Sequence, residues 1–154
     1  MVRQAEMSDH PRLAALFRQL HAHHVRINPG SFRMPGEEWF AERIEALLSD
    51  GEAVVFVHVG DGGALEGYAA VKIMTVDPPE RVPRKMCYID CFAVAEDRRR
   101  SGVGTALLRR VEDYARENAC GSVQLGVNAA NGDAIRFYEK MGLTPRSIQL
   151  EKRL

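Results

Sequence analysis

Apolar residues recur at two different periods along the chain, and the change of period separates predicted helices from predicted strands. Residues 1–5 predict a short strand, after which Ser8 or Asp9 can cap a helix that reaches about His23. The apolar stripe of this helix comprises Leu13, Leu16, Phe17 and Leu20. A turn is predicted at 28–30. A second amphipathic helix is predicted to end near Asp50-Gly51, with a stripe of Trp39, Phe40, Ile44, Leu47 and Leu48.

The period then changes to two. Residues 53–59 and 67–76 are rich in β-branched residues and flank a glycine-rich turn, which predicts an antiparallel hairpin. Residues 77–84 contain three prolines and are predicted to be a loop. Residues 85–95 predict a third long strand. Strict alternation would place Tyr88, Asp90, Phe92 and Val94 on one face of it.

The second half of the chain alternates strands with helices. A basic turn at 98–104 leads into a helix that Gly121 ends, and a strand at 123–127 follows. Asn131 can cap a further helix that ends at Gly142, and residues 143–150 are the last predicted strand. The order βααβββαβαβ predicts a mixed α/β sheet with one parallel crossover at 85–127. Since no repeat or low-complexity linker divides the chain, we expect one domain over 1–154.

Composition restricts the class of protein without indicating an activity. The chain has 154 residues, of which 45% are hydrophobic and 27% charged, as in ordinary globular proteins. The formal net charge is zero, so no global attraction to nucleic acid or to an anionic membrane is expected. Residues 1–80 nevertheless carry a net charge of −5 and residues 81–154 one of +5. No apolar run is long enough for a membrane span or an export signal.

The cysteines and histidines predict no metal site. Three cysteines at 87, 91 and 120 do not form a disulfide framework, and we therefore expect a reducing cytoplasm. Cys87 and Cys91 lack third and fourth ligands at zinc spacing. His21, His23 and His24 stand at the predicted end of the first helix without a partner carboxylate. They are expected to be solvated or to cap carbonyl groups, although a histidine there can also act as a base.

The turn at 98–104 is the strongest local signal for ligand binding. The first N–H groups of a helix lack partners and carry partial positive charge, so they can accept a phosphate. Gly102 and Gly104 remove side chains that would hold an anion away, and three arginines add charge. A dinucleotide fingerprint would need a third glycine where Leu107 stands. No P-loop sequence occurs either.

Two motifs in order resemble the GCN5-related N-acetyltransferase (GNAT) family. They are Arg99-x-x-Gly102-x-Gly104 and, after a helix and a strand, Asn131-x-x-Ala134-x-x-Phe137-Tyr138-x-Lys140-x-Gly142-Leu143. The resemblance is specific over 86–145. It implies a mostly antiparallel sheet of about six or seven strands flanked by about four helices. It also implies an acyl-CoA-binding core at 85–145 and an acceptor-side half at 1–84.

The resemblance implies an enzyme that transfers an acetyl group from acetyl-CoA to a primary amine, by direct attack in a ternary complex. The coenzyme pyrophosphate would lie on the turn, the pantetheine arm would pair with the third long strand, Asn131 would contact the pantetheine region and Tyr138 would lie near the sulfur. The residues implied at the coenzyme are Phe92, Ala93, Val94, Arg99, Arg100, Ser101, Gly102, Val103, Gly104, Thr105, Asn131 and Tyr138.

The chemistry of acyl transfer agrees with these roles. A thioester attacked by an amine develops an oxyanion and expels a thiolate, so it needs two hydrogen-bond donors. The candidates are the Val94 N–H for oxygen and the Tyr138 phenol for sulfur. Full proton transfer from an ordinary phenol, pKa ~10, to a thiolate, pKa ~8.5, is uphill by about 2 kcal/mol. Asp90 is the first candidate for the base that deprotonates the amine, with His21, His23, His24 or a water chain as alternatives.

Other interpretations remain open at this point. A catalytically silent domain that binds and senses acyl-CoA is one, and a nucleotide-binding module is another. The acceptor can be a small molecule or a protein, and Phe32, Trp39 and Tyr68 are candidates for its pocket. If the last strand lies at a sheet edge, it can pair with a second subunit, which predicts a homodimer.

Overall fold

A computed structural model describes residues 1–154, and its elements follow the predicted order up to the last helix. Short 3₁₀ turns precede the first and third helices, at Met7–Asp9 and Glu96–Arg98. The helices and strands are β1 (Val2–Gln4), α1 (His10–Ile27), α2 (Glu37–Ser49), β2 (Ala53–Val59), β3 (Leu65–Val76), β4 (Arg84–Val94), α3 (Val103–Glu117), β5 (Ser122–Leu125) and α4 (Gly132–Lys140).

The five strands form one sheet in the order β1-β2-β3-β4-β5. Neighbouring strands are antiparallel except β4 and β5, which are parallel and joined by α3. The mixed α/β fold with four helices and a mostly antiparallel sheet is therefore confirmed. Five strands are present where six or seven were expected, because residues 143–154 form no strand.

Both faces of the sheet are covered. On one face α3 contributes Leu107, Leu108 and Val111 to a buried cluster with β2, β3 and β4, and α4 packs at its border. On the other face α1 and α2 contribute Leu13 and Ile44 to a second cluster. Alternation along the strands supplies both clusters, as expected for a sheet between two helical layers. No helix combines the length and the apolar stretch that crossing a bilayer requires.

Helix α1 is one turn longer than predicted. It ends at Ile27 instead of about His23, since nothing breaks the helix before Asn28 and Pro29. The three histidines therefore lie within the last turns of the helix and not beyond it. Asp9 precedes the helix, but its side chain makes no capping bond to α1; it accepts from the Glu6 N–H and is fully buried against Arg3 and Arg12.

A β-bulge in β4 overturns the predicted alternation of that strand. Ala70 pairs with Cys91 while the next residue of β3, Val71, pairs with Ile89, so Asp90 is an extra residue. Each residue after the bulge consequently changes face. Phe92 and Val94 lie on the α3 face together with Ile89, and the expectation that Tyr88 shares a face with them is wrong.

Candidate active site

Strands β4 and β5, at one end of the sheet, separate part of the way along β4. They pair only from Met86–Ile89 to Ser122–Leu125, and the pairing stops where the bulge at Asp90 diverts β4. Where two parallel strands diverge, the backbone N–H and C=O groups on their facing edges are left unpaired. The gap beyond Ile89 is therefore open to an extended ligand.

The backbone of Phe92 and Val94 faces this gap. The Ala95 N–H donates to the Glu66 carbonyl on β3 at 2.8 Å, and the Ala93 carbonyl also points to β3, close to Gly67. Since hydrogen-bonding groups alternate sides along a strand, those of Phe92 and Val94 point the opposite way. A ligand lying in the gap would meet these two residues and not the Ala93 backbone.

A cavity of about 250 Å³ occupies the gap. It reaches from β4, β5 and the following loop to α4 on one side and α1 on the other. Its lining residues are Phe17, Leu20, His24, Ile27, Phe32, Ile89, Asp90, Cys91, Phe92, Leu125, Gly126, Val127, Asn128, Asn131, Ala134 and Tyr138. The sequence-predicted residues Phe92, Asn131, Tyr138 and Asp90 are thus brought together around one space.

Tyr138 lines the cavity from α4 and is held by aromatic neighbours. Its ring centroid lies 5.3 Å from that of Phe137 and 5.9 Å, edge-on, from that of Phe92. Burial raises the pKa of Tyr138 to about 12. The phenol therefore keeps its proton at neutral pH and is a hydrogen-bond donor for whatever occupies the cavity.

Asn131 has a structural role that the sequence predicted. Its side-chain oxygen accepts a hydrogen bond from the Ala134 N–H at 3.3 Å and caps α4. The cap holds the first turn of α4 at the border of the cavity, and this positions Tyr138 two turns later.

The basic turn leads directly into α3. Arg100 and Gly102 both have positive φ, 64° and 90°, so the chain turns sharply before the first helical residue, Val103. A Cβ on Gly102 would meet no atom within 4 Å. The turn thus leaves the helix N-terminus open, as an anion site requires.

The arginines of this turn differ in their partners. Arg98 is bound by Glu66, at 3.3 Å, whereas Arg99 and Arg100 are exposed and form no ion pair with the protein. The predicted cradle from Arg99 to Thr105, with Ser101 bonded to the Arg98 carbonyl, therefore offers two uncompensated positive charges.

Gly104 lies in close packing. A Cβ at this position would lie 3.2 Å from Phe137 Cζ and 3.6 Å from Val94 Cγ2. The missing side chain allows α3 to approach the aromatic cluster of α4. Packing therefore requires a small residue here, in addition to the predicted role of Gly104 at the coenzyme, which stays a prediction.

The three aromatic candidates for the acceptor side lie in different places. Phe32 lines the cavity, as expected. Trp39 lies behind it, stacked on Phe17 with ring centroids 5.3 Å apart. Tyr68 is fully buried in the core under α1, where burial raises the pKa of its phenol well above the ordinary value, so the expectation that it shapes the pocket is wrong.

The three histidines also lie in different surroundings. His24 lines the cavity, and burial, with the nearby His23, lowers its pKa. His21 binds the Arg33 carbonyl at 2.8 Å and is directed to the loop after α1. His23 lies near Arg26, at 3.2 Å, outside the cavity, and burial followed by the charge of Arg99 lowers its pKa. No cluster of three or more His, Cys, Asp or Glu side chains is arranged to hold a metal ion.

The wall formed by α1 was not predicted. It consists of Phe17, Leu20, His24 and Ile27. Their spacing of three, four and three residues is a helical stripe that the sequence contains. It becomes visible once the helix is continued to Ile27, which the predicted end at His23 prevented.

Comparisons with known proteins agree with this geometry. A family model described as the acetyltransferase (GNAT) family matches residues 17–143. Streptothricin acetyltransferase from Streptomyces lavendulae is 34% identical over 93 residues, covering 60% of this chain and 46% of that protein. The aligned part thus spans about half the length of the curated relatives it matches.

Solved structures show the same fold. The tetramutant of the BH1408 protein from Bacillus halodurans superposes with a TM-score of 0.95 at 25% identity, over 100% of this chain and 99% of that one. The aminoglycoside N-acetyltransferase AAC(6′)-Iy, solved in complex with CoA, superposes with a TM-score of 0.75 at 18% identity, over 100% and 95%.

Proposed function

Because the chain belongs to the GNAT family of acetyltransferases, we propose that it transfers the acetyl group of acetyl-CoA to a primary amine. The transfer occurs by direct attack within a ternary complex. One observation carries the proposal: a strand edge with free backbone groups and a protonated tyrosine face the same gap, and an open helix N-terminus follows the end of that strand. Residues 85–145 supply these coenzyme-side groups, and residues 1–84 supply the opposite wall.

The proposed coenzyme site follows the gap. The pyrophosphate is held by the backbone N–H groups at the start of α3, with the exposed Arg99 and Arg100 beside them. The pantetheine arm extends β4 as an additional strand through Phe92 and Val94, and Asn131 borders it. Acetyl-CoA is a co-substrate here, and the proposed reaction uses no metal.

In the proposed reaction, the amine nitrogen forms a C–N bond to the thioester carbon and the C–S bond then breaks. The Val94 N–H, which points into the gap, donates to the developing oxyanion. Tyr138 donates a hydrogen bond to the leaving sulfur. With its pKa at about 12 and a thiol near ~8.5, complete proton transfer would be uphill by about 5 kcal/mol, so the tyrosine stabilises the thiolate without becoming ionised.

The acceptor must lose a proton before attack. Asp90 is our proposed base, since it lines the cavity from β4, the strand that leads to Val94. His24 is the alternative on the opposite wall: with its pKa lowered by burial, it is neutral at pH 7 and able to accept a proton. His21 and His23 lie outside the cavity and are weaker candidates.

Calorimetric titration with acetyl-CoA tests the proposal, with ATP and NAD as control ligands. We expect saturable binding of acetyl-CoA that the double variant Arg99→Ala/Gly102→Asp loses. Arg109→Ala is the matched control, because it removes an exposed arginine from the middle of α3. If wild-type protein binds no acetyl-CoA at millimolar concentration, the turn is only structural and the proposal is wrong.

Thiol release with a panel of amines then separates the two remaining functions. Acetyl-CoA binding together with amine-dependent release of CoA thiol is the expected result. Binding without release from any amine would favour the catalytically silent acyl-CoA-binding domain instead.

A further inference from the structure

Apart from His24, the acceptor-side wall of the cavity is apolar, and other side chains pack behind it. Phe17, Leu20, Ile27 and Phe32 line it. Phe17 stacks on Trp39 and also meets Phe40 edge-on, at 5.7 Å between centroids. Such packing makes this wall a rigid apolar surface, which is the usual design of a site that buries the carbon skeleton of a small ligand.

A single carboxylate faces this wall. Asp90 is the only acidic residue among the residues that line the cavity, and no lysine or arginine lines it. His24 adds a polar atom but no positive charge at neutral pH, because burial lowers its pKa.

The negative charge of the first half of the chain lies elsewhere. None of the twelve acidic residues of 1–80 lines the cavity, and four of them are held in ion pairs outside it. These pairs are Asp9 with Arg3 at 2.7 Å, Glu37 with Arg18 at 2.9 Å, Asp50 with Lys72 at 2.7 Å and Glu66 with Arg98 at 3.3 Å. The net charge of residues 1–80 therefore gives no reason to expect a polycation in the cavity.

We infer that the acceptor is a primary amine with one cationic group on an unbranched apolar or aromatic stem, whether a free amine or a lysine side chain. This inference rests on the proposed acetyl transfer. The one ammonium is matched by Asp90, and the stem lies against Phe17, Leu20, Ile27 and Phe32. A second ammonium or a set of hydroxyl groups would lose more water against this wall than its single polar side chain, His24, can replace.

The preference for an apolar stem is tested by the rate of CoA thiol release from acetyl-CoA, measured with the series of amines from n-propylamine to n-hexylamine. These amines share nearly the same pKa, so differences in kcat/KM report burial of the stem and not nucleophilicity. We expect kcat/KM to rise about fourfold with each methylene until the wall is covered, the factor that burial of one methylene supplies. The matched polar probe is 1,6-diaminohexane, expected about tenfold or more below n-hexylamine.

Variants of the wall provide an independent measurement. Phe32→Ala is expected to flatten the dependence of kcat/KM on stem length. Met34→Ala is the control, because Met34 is exposed in the same loop and does not line the cavity. Nα-acetyl-lysine methylamide and a lysine-containing peptide, assayed beside n-pentylamine, distinguish a protein acceptor from a free one.

The outcomes separate this inference from the proposed function. Equal kcat/KM for the diamine and for n-hexylamine would overturn the inference and leave acetyl transfer intact. A flat series of alkylamines in the wild-type protein would do the same. Absence of thiol release with every amine would overturn acetyl transfer, and the inference with it.

Discussion

Tyr138 illustrates how burial decides what a side chain can do. The rings of Phe92 and Phe137 lie next to its ring, and burial raises the pKa of Tyr138 to about 12. A tyrosine of this kind is a poor general acid but a permanent donor between pH 6 and 9. In the proposed reaction it therefore acts on the departing sulfur through a hydrogen bond.

Replacing Tyr138 by Phe keeps the ring and removes the donor. We expect kcat to fall by about 10²-fold, the lower end of the range for removing one hydrogen-bond donor to a developing charge, while the Kd of acetyl-CoA stays the same. Steady-state kinetics and calorimetry measure the two quantities. Tyr114→Phe is the matched control, since Tyr114 packs on Phe56 from α3, away from the cavity. Equal kcat for Tyr138→Phe and wild type would remove Tyr138 from the mechanism.

Asp90 is the extra residue of the β-bulge in β4, and its side chain is exposed. Asp90→Asn is expected to lower kcat/KM for the amine and to change the shape of the pH–rate profile, because the amide cannot accept the ammonium proton. The profile of kcat/KM against pH is the measurement, and Asp61→Asn in the exposed turn before β3 is the control. An unchanged profile in Asp90→Asn together with an altered one in His24→Gln would assign the base to His24.

At the scale of elements, an ion cluster joins β1 to the start of α1. The buried Asp9 carboxylate accepts hydrogen bonds from Arg3, at 2.7 and 3.0 Å, from Arg12, at 3.0 Å, and from the Glu6 N–H, at 2.9 Å. Hydrogen bonding from Arg3 lowers the pKa of Asp9. The cluster fixes the first strand and hence the orientation of α1, which forms the acceptor-side wall.

The lowered pKa of Asp9 makes part of the stability pH-dependent. Its contribution is present above the unfolded-state value of ~3.9 and is lost as pH falls through the lower folded-state pKa. Asp9→Asn is expected to lower the free energy of unfolding by about 2 kcal/mol at pH 7 and to flatten its decline below pH 4. Urea unfolding between pH 3 and 7 measures both. Glu80→Gln, which disrupts only an exposed pair, should change the free energy by less than about 1 kcal/mol.

At the scale of the molecule, the sheet ends in an edge with no partner. Strand β5 pairs only with β4, and the segment after α4 is exposed, with Ile148 at 79% and Leu150 at 93% of full exposure. An unpaired edge and an alternating apolar segment in the same chain favour pairing with another chain. The predicted homodimer thus stays a prediction, with residues 143–150 of each copy expected on β5 of the other.

Light scattering after size exclusion tests the dimer. We expect a mass near twice 17.2 kDa for the wild type, and about the monomer mass for Ile148→Lys/Leu150→Lys. Val82→Lys is the control, because Val82 is equally exposed, at 80%, but lies in the loop before β4. A monomeric wild type at high concentration would contradict the prediction.

Local patterns predicted the parts of the site that depend on neighbouring residues. The turn before α3, the Asn131 cap and the position of Tyr138 on α4 depend on glycines, a capping amide and helical spacing within a few residues. Each of these features can therefore be predicted from a few consecutive residues. The family motifs lie in the same segment, which is why the coenzyme side of the proposal follows from the sequence.

The tertiary structure decided what depends on distant contacts. One extra residue at Asp90 moves Phe92 and Val94 to the other face, and no local signal marks a bulge whose register is set by β3. Tyr68 is buried because α1 covers it, and residues 143–150 are no strand because they do not pair with any strand of the chain. Periodicity determines which positions are apolar. Pairing between strands and the packing of helices determine which of those positions enclose the cavity and which lie in the core.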